Sequence, residues 1–365
     1  STFTVTATIN PTPVVQNTTE TICSGTAFTV SPSNGNGNVI PNGTQYTWTV
    51  ANNANITGAS NESTPQANVS QSLVNTTNTV QTITYTVTPV LPGCNGNTFT
   101  VTVSVDPTPS IQNVTSSICS GLPFTVAPTN GNGNLVPNGT TYTWTVVDNS
   151  YVLGETNQLT AQGTISQTVV NNYNSDQIVV YTVTPTAGSC PGSTFTATVS
   201  VNVNPVVAAI TGATNVCTGS TTQLASATSG GVWTSSNTAV ASVNSSTGVV
   251  TGVSAGTVTI TYTVTGSNGC TNAATATVNV NAGSTATITA GGATTFCSGG
   301  SVTLTANSGS SYLWSNGAQT QAITVTAGGS YYVTVTNASG CSATSTSTTV
   351  TVNPLPTVAA ITGAT

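Results

Sequence analysis

Cysteine is the one residue type in this sequence whose number and spacing carry ready chemistry. Eight occur: Cys23, Cys94, Cys119, Cys190, Cys217, Cys270, Cys297 and Cys341. Taken two by two they are 71, 71, 53 and 44 residues apart, with no CxxC pair. That spacing argues against a thiolate metal site, and the even count points to disulfides in an exported chain. The remaining charged side chains are six acids, Glu20, Glu62, Asp106, Asp148, Glu155 and Asp176, which do not cluster. Lys, Arg and His are absent from all 365 residues, and the formal net charge is −6. Hydroxyls are plentiful, but no His or Lys exists to activate one, so Ser-His-Asp, Cys-His and Schiff-base catalysis are excluded. Histidine metal sites fall for the same reason. Nucleic-acid binding needs cations against phosphate, and there are none. No catalytic residue, metal or cofactor is expected.

The elements that must position these cysteines are strands. Apolar residues alternate with Thr and Ser, as in Thr2-Phe3-Thr4-Val5-Thr6 and Tyr262-Thr263-Val264-Thr265. Val and Thr are β-branched and favour strands. No ten-residue stretch has helical periodicity. No apolar run approaches the roughly 20 residues that span a bilayer as a helix, so no membrane insertion is expected of this segment. The sequence starts without Met or a signal peptide, which reads as a processed or excised end.

Self-comparison reveals the organisation. Ile22-Cys23-Ser24-Gly25 returns as Ile118-Cys119-Ser120-Gly121, Tyr46-Thr47-Trp48 as Tyr142-Thr143-Trp144, and Tyr85-Thr86-Val87 as Tyr181-Thr182-Val183, each 96 residues on. The Thr-Phe-Thr run around Phe3, Phe99 and Phe195 keeps that offset. Shorter relatives follow. Cys217, Trp233, Tyr262 and Cys270 keep the order, and so do Cys297, Trp314, Tyr332 and Cys341. Val358 to Thr365 copies Val207 to Thr214. The expectation is a window onto a longer array. Its parts are 1–9, the last strand of a preceding repeat; four domains at 10–106, 107–204, 205–282 and 283–356; and 357–365, the first strand of a following repeat.

Each domain has about seven short strands, turn signals every 8–12 residues and one Trp, the pattern of an all-β immunoglobulin-like sandwich. Trp48, Trp144, Trp233 and Trp314 are expected in the cores, with Tyr85, Tyr181, Tyr262 and Tyr332 on the penultimate strands. Pro-rich linkers such as Asp106-Pro107-Thr108-Pro109 are stiff, which predicts a rod-like array.

The Cys-Ser-Gly motif, the single Trp and the run Tyr331 to Cys341 resemble the PKD-like and Ig-like repeats of large secreted Bacteroidota surface proteins. The stretch Ser246 to Thr257 is similar to the bacterial Ig-like group 2 signature. The resemblance implies the shaft of a giant cell-surface adhesin or extracellular filament, of the gliding-motility type exported by type IX secretion. Alternatives are passive spacer repeats in a secreted enzyme and a carbohydrate-binding module. The implied partners are neighbouring repeats, with other surface proteins or polysaccharide met through a distal tip. The implied location is extracellular, at the cell surface beyond the outer membrane.

Several motifs read as structure. The loops Asn34-Gly35-Asn36-Gly37-Asn38 and Asn130-Gly131-Asn132-Gly133-Asn134 lack the helix and Lys of a phosphate cradle. Asp106 sits at a domain junction, where calcium binds in some Ig-like arrays, but the matching positions are Asn10 and Asn204. Ten Asn-X-Ser/Thr sequons, among them Asn55 and Asn75, report surface loops.

Two disulfide connectivities remain open. One bond per domain would give Cys23–Cys94, Cys119–Cys190, Cys217–Cys270 and Cys297–Cys341. Topology favours bonds between neighbours, Cys23–Cys190, Cys119–Cys270 and Cys217–Cys341. The first cysteine of a repeat lies at the turn between its first two strands and the second lies in its last hairpin, at opposite ends of an Ig-like sandwich. The strand from Pro109 to Cys119 alone spans about 30 Å at ~3.3 Å per residue. A disulfide needs Cα atoms within about 7 Å. Cys94 and Cys297 would then pair outside this window.

Overall fold

The computed structural model describes residues 2–6, 9 and 11–358. It is all-β, with no helix among the described residues. The chain divides into two compact units, Ser1–Val203 and Asn204–Thr365.

The first unit holds two hydrophobic clusters built alike. In the first, one sheet runs in the order Thr18–Cys23, Phe99–Asp106, Gln81–Val90, Gln45–Val50, Glu62–Gln66. Facing elements are the short pairs Ala27–Val30 with Val69–Ser72, and Ile56–Thr57 with Val74–Asn75. The Val/Thr alternation is what makes a half-buried strand: along Gln81–Val90, Ile83, Tyr85 and Val87 point inward while the Thr residues between them face out. The second cluster repeats the sheet with Val114–Cys119, Phe195–Asn202, Gln177–Ala187, Thr141–Val146 and Gln158–Gln162.

The opening strand of each repeat pairs in parallel with its closing strand. Thr18 lies opposite Val101 and Cys23 opposite Asp106. Val114 lies opposite Ala197 and Cys119 opposite Asn202. This pairing carries the first cysteine of a repeat to the end where the chain leaves that repeat.

The second unit has two further clusters. In one, Asn215–Cys217, Thr271–Asn281, Gly256–Thr265 and Val232–Ser235 form a sheet, against Ile210–Gly212, Thr221–Ser226, Val249–Gly252 and Ala241–Val243. Cys217 again lies opposite the closing strand, at Asn281. In the other, three-stranded sheets include the parallel pair Thr295–Cys297 with Thr348–Asn353.

Two expectations need qualification. Residues 2–6 form no strand, and Phe3, Val5 and Ile9 are largely exposed; residues 1, 7, 8 and 10 lie outside the described residues. Of the stretch 357–365, residues 359–365 lie outside them too.

Tyr332 is a correction. It is 44% exposed rather than in the core. The penultimate strand splits here into Gly329–Tyr331, which pairs with Thr348–Asn353, and Val333–Thr336, which pairs with Ser311–Trp314. Val333 and Val335 take the inward positions, so residue 332 sits at the switch and points out. Tyr331 packs against the cluster in its place.

Candidate functional site

The cysteines follow from the strand pairing. Phe99–Asp106 is eight residues long, so its ends lie about 23 Å apart at ~3.3 Å per residue. Cys23 is beside its far end, at Asp106, while Cys94 is in the turn that enters it. The two cannot meet across an intact strand. Cys23 is bonded to Cys190 instead, with Cα atoms 5.4 Å apart and a sequence separation of 167 residues. Cys190 is buried in the hairpin between Gln177–Ala187 and Phe195–Asn202 of the following repeat. In the second unit, Cys217 is bonded to Cys341, with Cα atoms 5.8 Å apart and a separation of 124 residues. Cys341 is buried in the turn before Ser342–Thr344.

In both bonds the first cysteine of one repeat meets the second cysteine of the next. Cys119 ends its strand in the first unit, and Cys270 is buried in the hairpin turn of the second. Cys94 is partly buried, and Cys297 is a free, exposed thiol.

The four Trp side chains lie in the clusters, each no more than 5% exposed. In the first repeat Trp48 anchors a polar node. Its Nε1 donates to the Ser60 carbonyl at 3.0 Å, and Gln71 Nε2 donates to the same oxygen at 2.8 Å. Tyr85 donates its hydroxyl to Gln71 Oε1 at 2.9 Å. Burial pushes Tyr85 up to about 12. The second repeat rebuilds the node from Trp144, Thr156 and Gln167. There the equivalent of Ala59 is Glu155. The Tyr181 hydroxyl and Glu155 Oε2 are both buried without a hydrogen-bond partner in the protein. Burial first, and the nearby Glu155 carboxylate second, raise Tyr181 further than Tyr85. In the third repeat Tyr262 donates to the Thr228 carbonyl at 2.7 Å and accepts from Gly231 N at 2.9 Å.

Asparagine carries a role that motif reading missed. Asn75, read as a sequon, is 2% exposed. Its Nδ2 donates to the Thr79 and Val105 carbonyls at 2.7 and 2.9 Å, and its Oδ1 accepts from Thr77 N. Asn171 makes the same set with Ser175, Val201 and Tyr173. Asn17 and Asn113 accept from Thr100 N and Thr196 N, and so tether the first strand to the last. In the Gly-rich loops, Asn38 and Asn134 accept from Gln16 N and Gln112 N. The central Asn36 and Asn132 take left-handed φ values of 49° and 51°, which Asn tolerates. Asp106 lines a cleft of about 360 Å³ between neutral residues, among them Asn78, Pro137 and Asn138.

This arrangement of strands and cores defines a chain built of tandem immunoglobulin-like repeats. Residues 20–109 and 116–205 each match the PKD-like domain model, at the same 96-residue offset as the sequence repeat. Residues 195–278 match the bacterial Ig-like domain (group 2) model. No curated protein matches the chain. Among solved structures it is similar to the human desmocollin-1 ectodomain, at 12% identity over 95% of this chain and 80% of that one, TM-score 0.28. It is similar also to the insect immune protein hemolin, at 13% identity over 94% and 100%, TM-score 0.25. A third is the eight N-terminal Ig domains of Down Syndrome Cell Adhesion Molecule, at 12% identity over 93% and 49%, TM-score 0.29.

Proposed function

We propose that this chain is a load-bearing shaft segment of a large extracellular adhesin or filament, made of four tandem Ig/PKD-like domains at about 10–106, 107–204, 205–282 and 283–356. The observation that carries this reading is the route of the disulfides. Cys23–Cys190 and Cys217–Cys341 each tie one repeat to the next. Under tension, force entering at Cys23 leaves at Cys190 through the bond, and the 167-residue span between them is bypassed. A bond within a domain would protect that domain alone; a bond between neighbours also holds the junction.

The disulfides and the absence of any Lys or Arg, which denies trypsin-like proteases a site, suit an oxidising, protease-rich exterior. The finer reading includes export across the outer membrane by type IX secretion and a part in attachment or gliding in a Bacteroidota cell. A distal tip on other domains would meet surface proteins or polysaccharide. This segment performs no catalysis.

Pulling the chain from its ends in a single-molecule instrument tests the reading. Reductant is expected to release about 580 Å of extra length for the first bond, at ~3.5 Å per residue. Equal extension with and without reductant would refute the load path. Labelling of intact cells with an antibody to this segment tests the location, and an intracellular signal sinks it.

A further inference from the structure

The two close copies in the first unit share one loop frame and display different side chains on it. In the first repeat, Asn53 Oδ1 accepts from Asn55 N at 2.9 Å, Asn53 Nδ2 donates to the Thr82 carbonyl at 3.1 Å, and Thr76 N donates to the Asn55 carbonyl at 3.0 Å. In the second, Asn149 Oδ1 accepts from Tyr151 N at 3.1 Å, Asn149 Nδ2 donates to the Ile178 carbonyl at 3.1 Å, and Asn172 N donates to the Tyr151 carbonyl at 2.8 Å. The buried amides of Asn75 and Asn171 hold the opposing loops in the same way. The frame is therefore independent of what it carries. Asn55 and Thr77 in the first repeat become Tyr151 and Tyr173 in the second.

These tyrosines contribute nothing the fold needs, since the first repeat adopts the same loops without them. They stack at 4.4 Å between ring centroids, 36° from parallel, yet remain 47% and 45% exposed. Half-exposed aromatic rings held by a rigid frame are a recognition surface. Exposed polar residues lie near them in sequence, Asp148 three residues before Tyr151 and Asn172 and Asn174 on either side of Tyr173, alongside the exposed apolar Val147 and Leu153. In place of Asp148 and Asn172 the first repeat has Asn52 and Thr76.

We propose that the Tyr151–Tyr173 platform of the second repeat binds a neutral saccharide. An aromatic face packs against the C–H face of a pyranose ring, and amide and carboxylate side chains take its hydroxyls, the carboxylate as acceptor and the amides as both donor and acceptor. The net charge of −6 and the lack of any cation disfavour a sulfated or uronic-acid glycan. The platform is far smaller than the roughly 20–30 residues per side that a stable protein partner covers. This inference stands apart from the shaft reading: a shaft needs no such face, and a bound glycan needs no load path.

The test uses the full chain on a printed array of neutral oligosaccharides, with sulfated and uronic-acid glycans alongside. The comparison is the double variant Tyr151→Asn, Tyr173→Thr, which installs the residues that the same frame carries in the first repeat. An unchanged thermal midpoint shows that the variant is folded, and urea unfolding followed by Trp fluorescence checks the same point independently. The expected result is binding to neutral glycans by the natural chain, weakened about tenfold or more in the variant, a difference of ~1.4 kcal/mol or more. No binding to any neutral glycan, binding confined to the acidic glycans, or equal binding by the folded variant overturns the proposal.

Discussion

Tyr85 and Tyr181 occupy equivalent places in two copies of one domain and solve the burial of a hydroxyl differently. Tyr85 donates to Gln71; Tyr181 lies beside the Glu155 carboxylate with no partner in the protein. Burial raises both, Tyr85 to about 12, from an unfolded value of about 10. A raised folded pKa means that the stability from the neutral phenol is fully present below the unfolded value. It is lost as pH climbs through the folded one, here from about 10 to about 12. With no Lys, Arg or His to titrate, tyrosine dominates this window once the disulfides are intact. The thermal midpoint is expected to hold up to about pH 10 and then fall steeply, with the tyrosinate absorbance of the buried tyrosines rising together with loss of Trp burial. Tyrosinate signal from Tyr85 and Tyr181 appearing well before unfolding would contradict their burial.

Strand by strand, much of this fold is legible in the sequence. The 96-residue repeat and the Val/Thr alternation mark the long strands, because a period of two is what a half-buried sheet imposes on side chains. Other features leave no such trace. Tyr332 sits in register with Tyr85 and Tyr262 when cysteine-to-tyrosine spacing is compared, but its strand changes partners at that residue and turns it outward. Asn75 looks like any other sequon until the Val105 carbonyl is seen to depend on it. Tyr151 and Tyr173 are 22 residues apart and meet only through a pairing of two-residue strands, Val152–Leu153 with Val170–Asn171, too short to give a periodic signal.

The packing of elements also fixes where a side chain is forbidden. Gly231 passes over the Tyr262 ring: a Cβ there would lie 2.4 Å from Cζ and 2.8 Å from the Thr263 carbonyl oxygen. The ring is 5% exposed and its hydroxyl bonds both sides of that loop, so it cannot swing away freely. Gly231→Ala is expected to destabilise the third repeat by about 1–3 kcal/mol, as overpacking does. Urea unfolding followed by Trp233 fluorescence measures it, and an unchanged midpoint would show that the loop is loose.

At the scale of the whole molecule, resistance to proteolysis has two separable origins, composition and fold. Trypsin cuts after Lys or Arg, and this chain has neither, so trypsin is expected to leave it whole even after reduction and denaturation in urea. Chymotrypsin-like enzymes read aromatic side chains, of which there are 20 counting Trp, Tyr and Phe. For them the protection is conformational. Trp48, Trp144, Trp233 and Trp314 and the tyrosines Tyr46, Tyr85, Tyr142, Tyr181 and Tyr262 are all buried, on strands paired on both sides or packed against a core. Cleavage requires an extended, accessible segment, so local opening sets its rate. Tyr151 and Tyr173 are exposed and lie in loops outside the strands. Under native conditions chymotrypsin is expected to cut first after these two, after Tyr332, which is exposed between its strands, and after Phe3, which removes only three residues. A single cut after Tyr151 or Tyr173 leaves the pieces joined by Cys23–Cys190, because it falls inside the span that bond closes, and a cut after Tyr332 leaves them joined by Cys217–Cys341; cutting after both Tyr151 and Tyr173 frees only the cysteine-free segment 152–173. A chain cut once should therefore run at essentially full length on a non-reducing gel and split only when reduced. Early cleavage after Trp48 or Trp144 would show that the sandwiches open more readily than their burial implies. Separation of the pieces without reductant after one cut at Tyr151 or Tyr173 would show that the Cys23–Cys190 bond does not close that span.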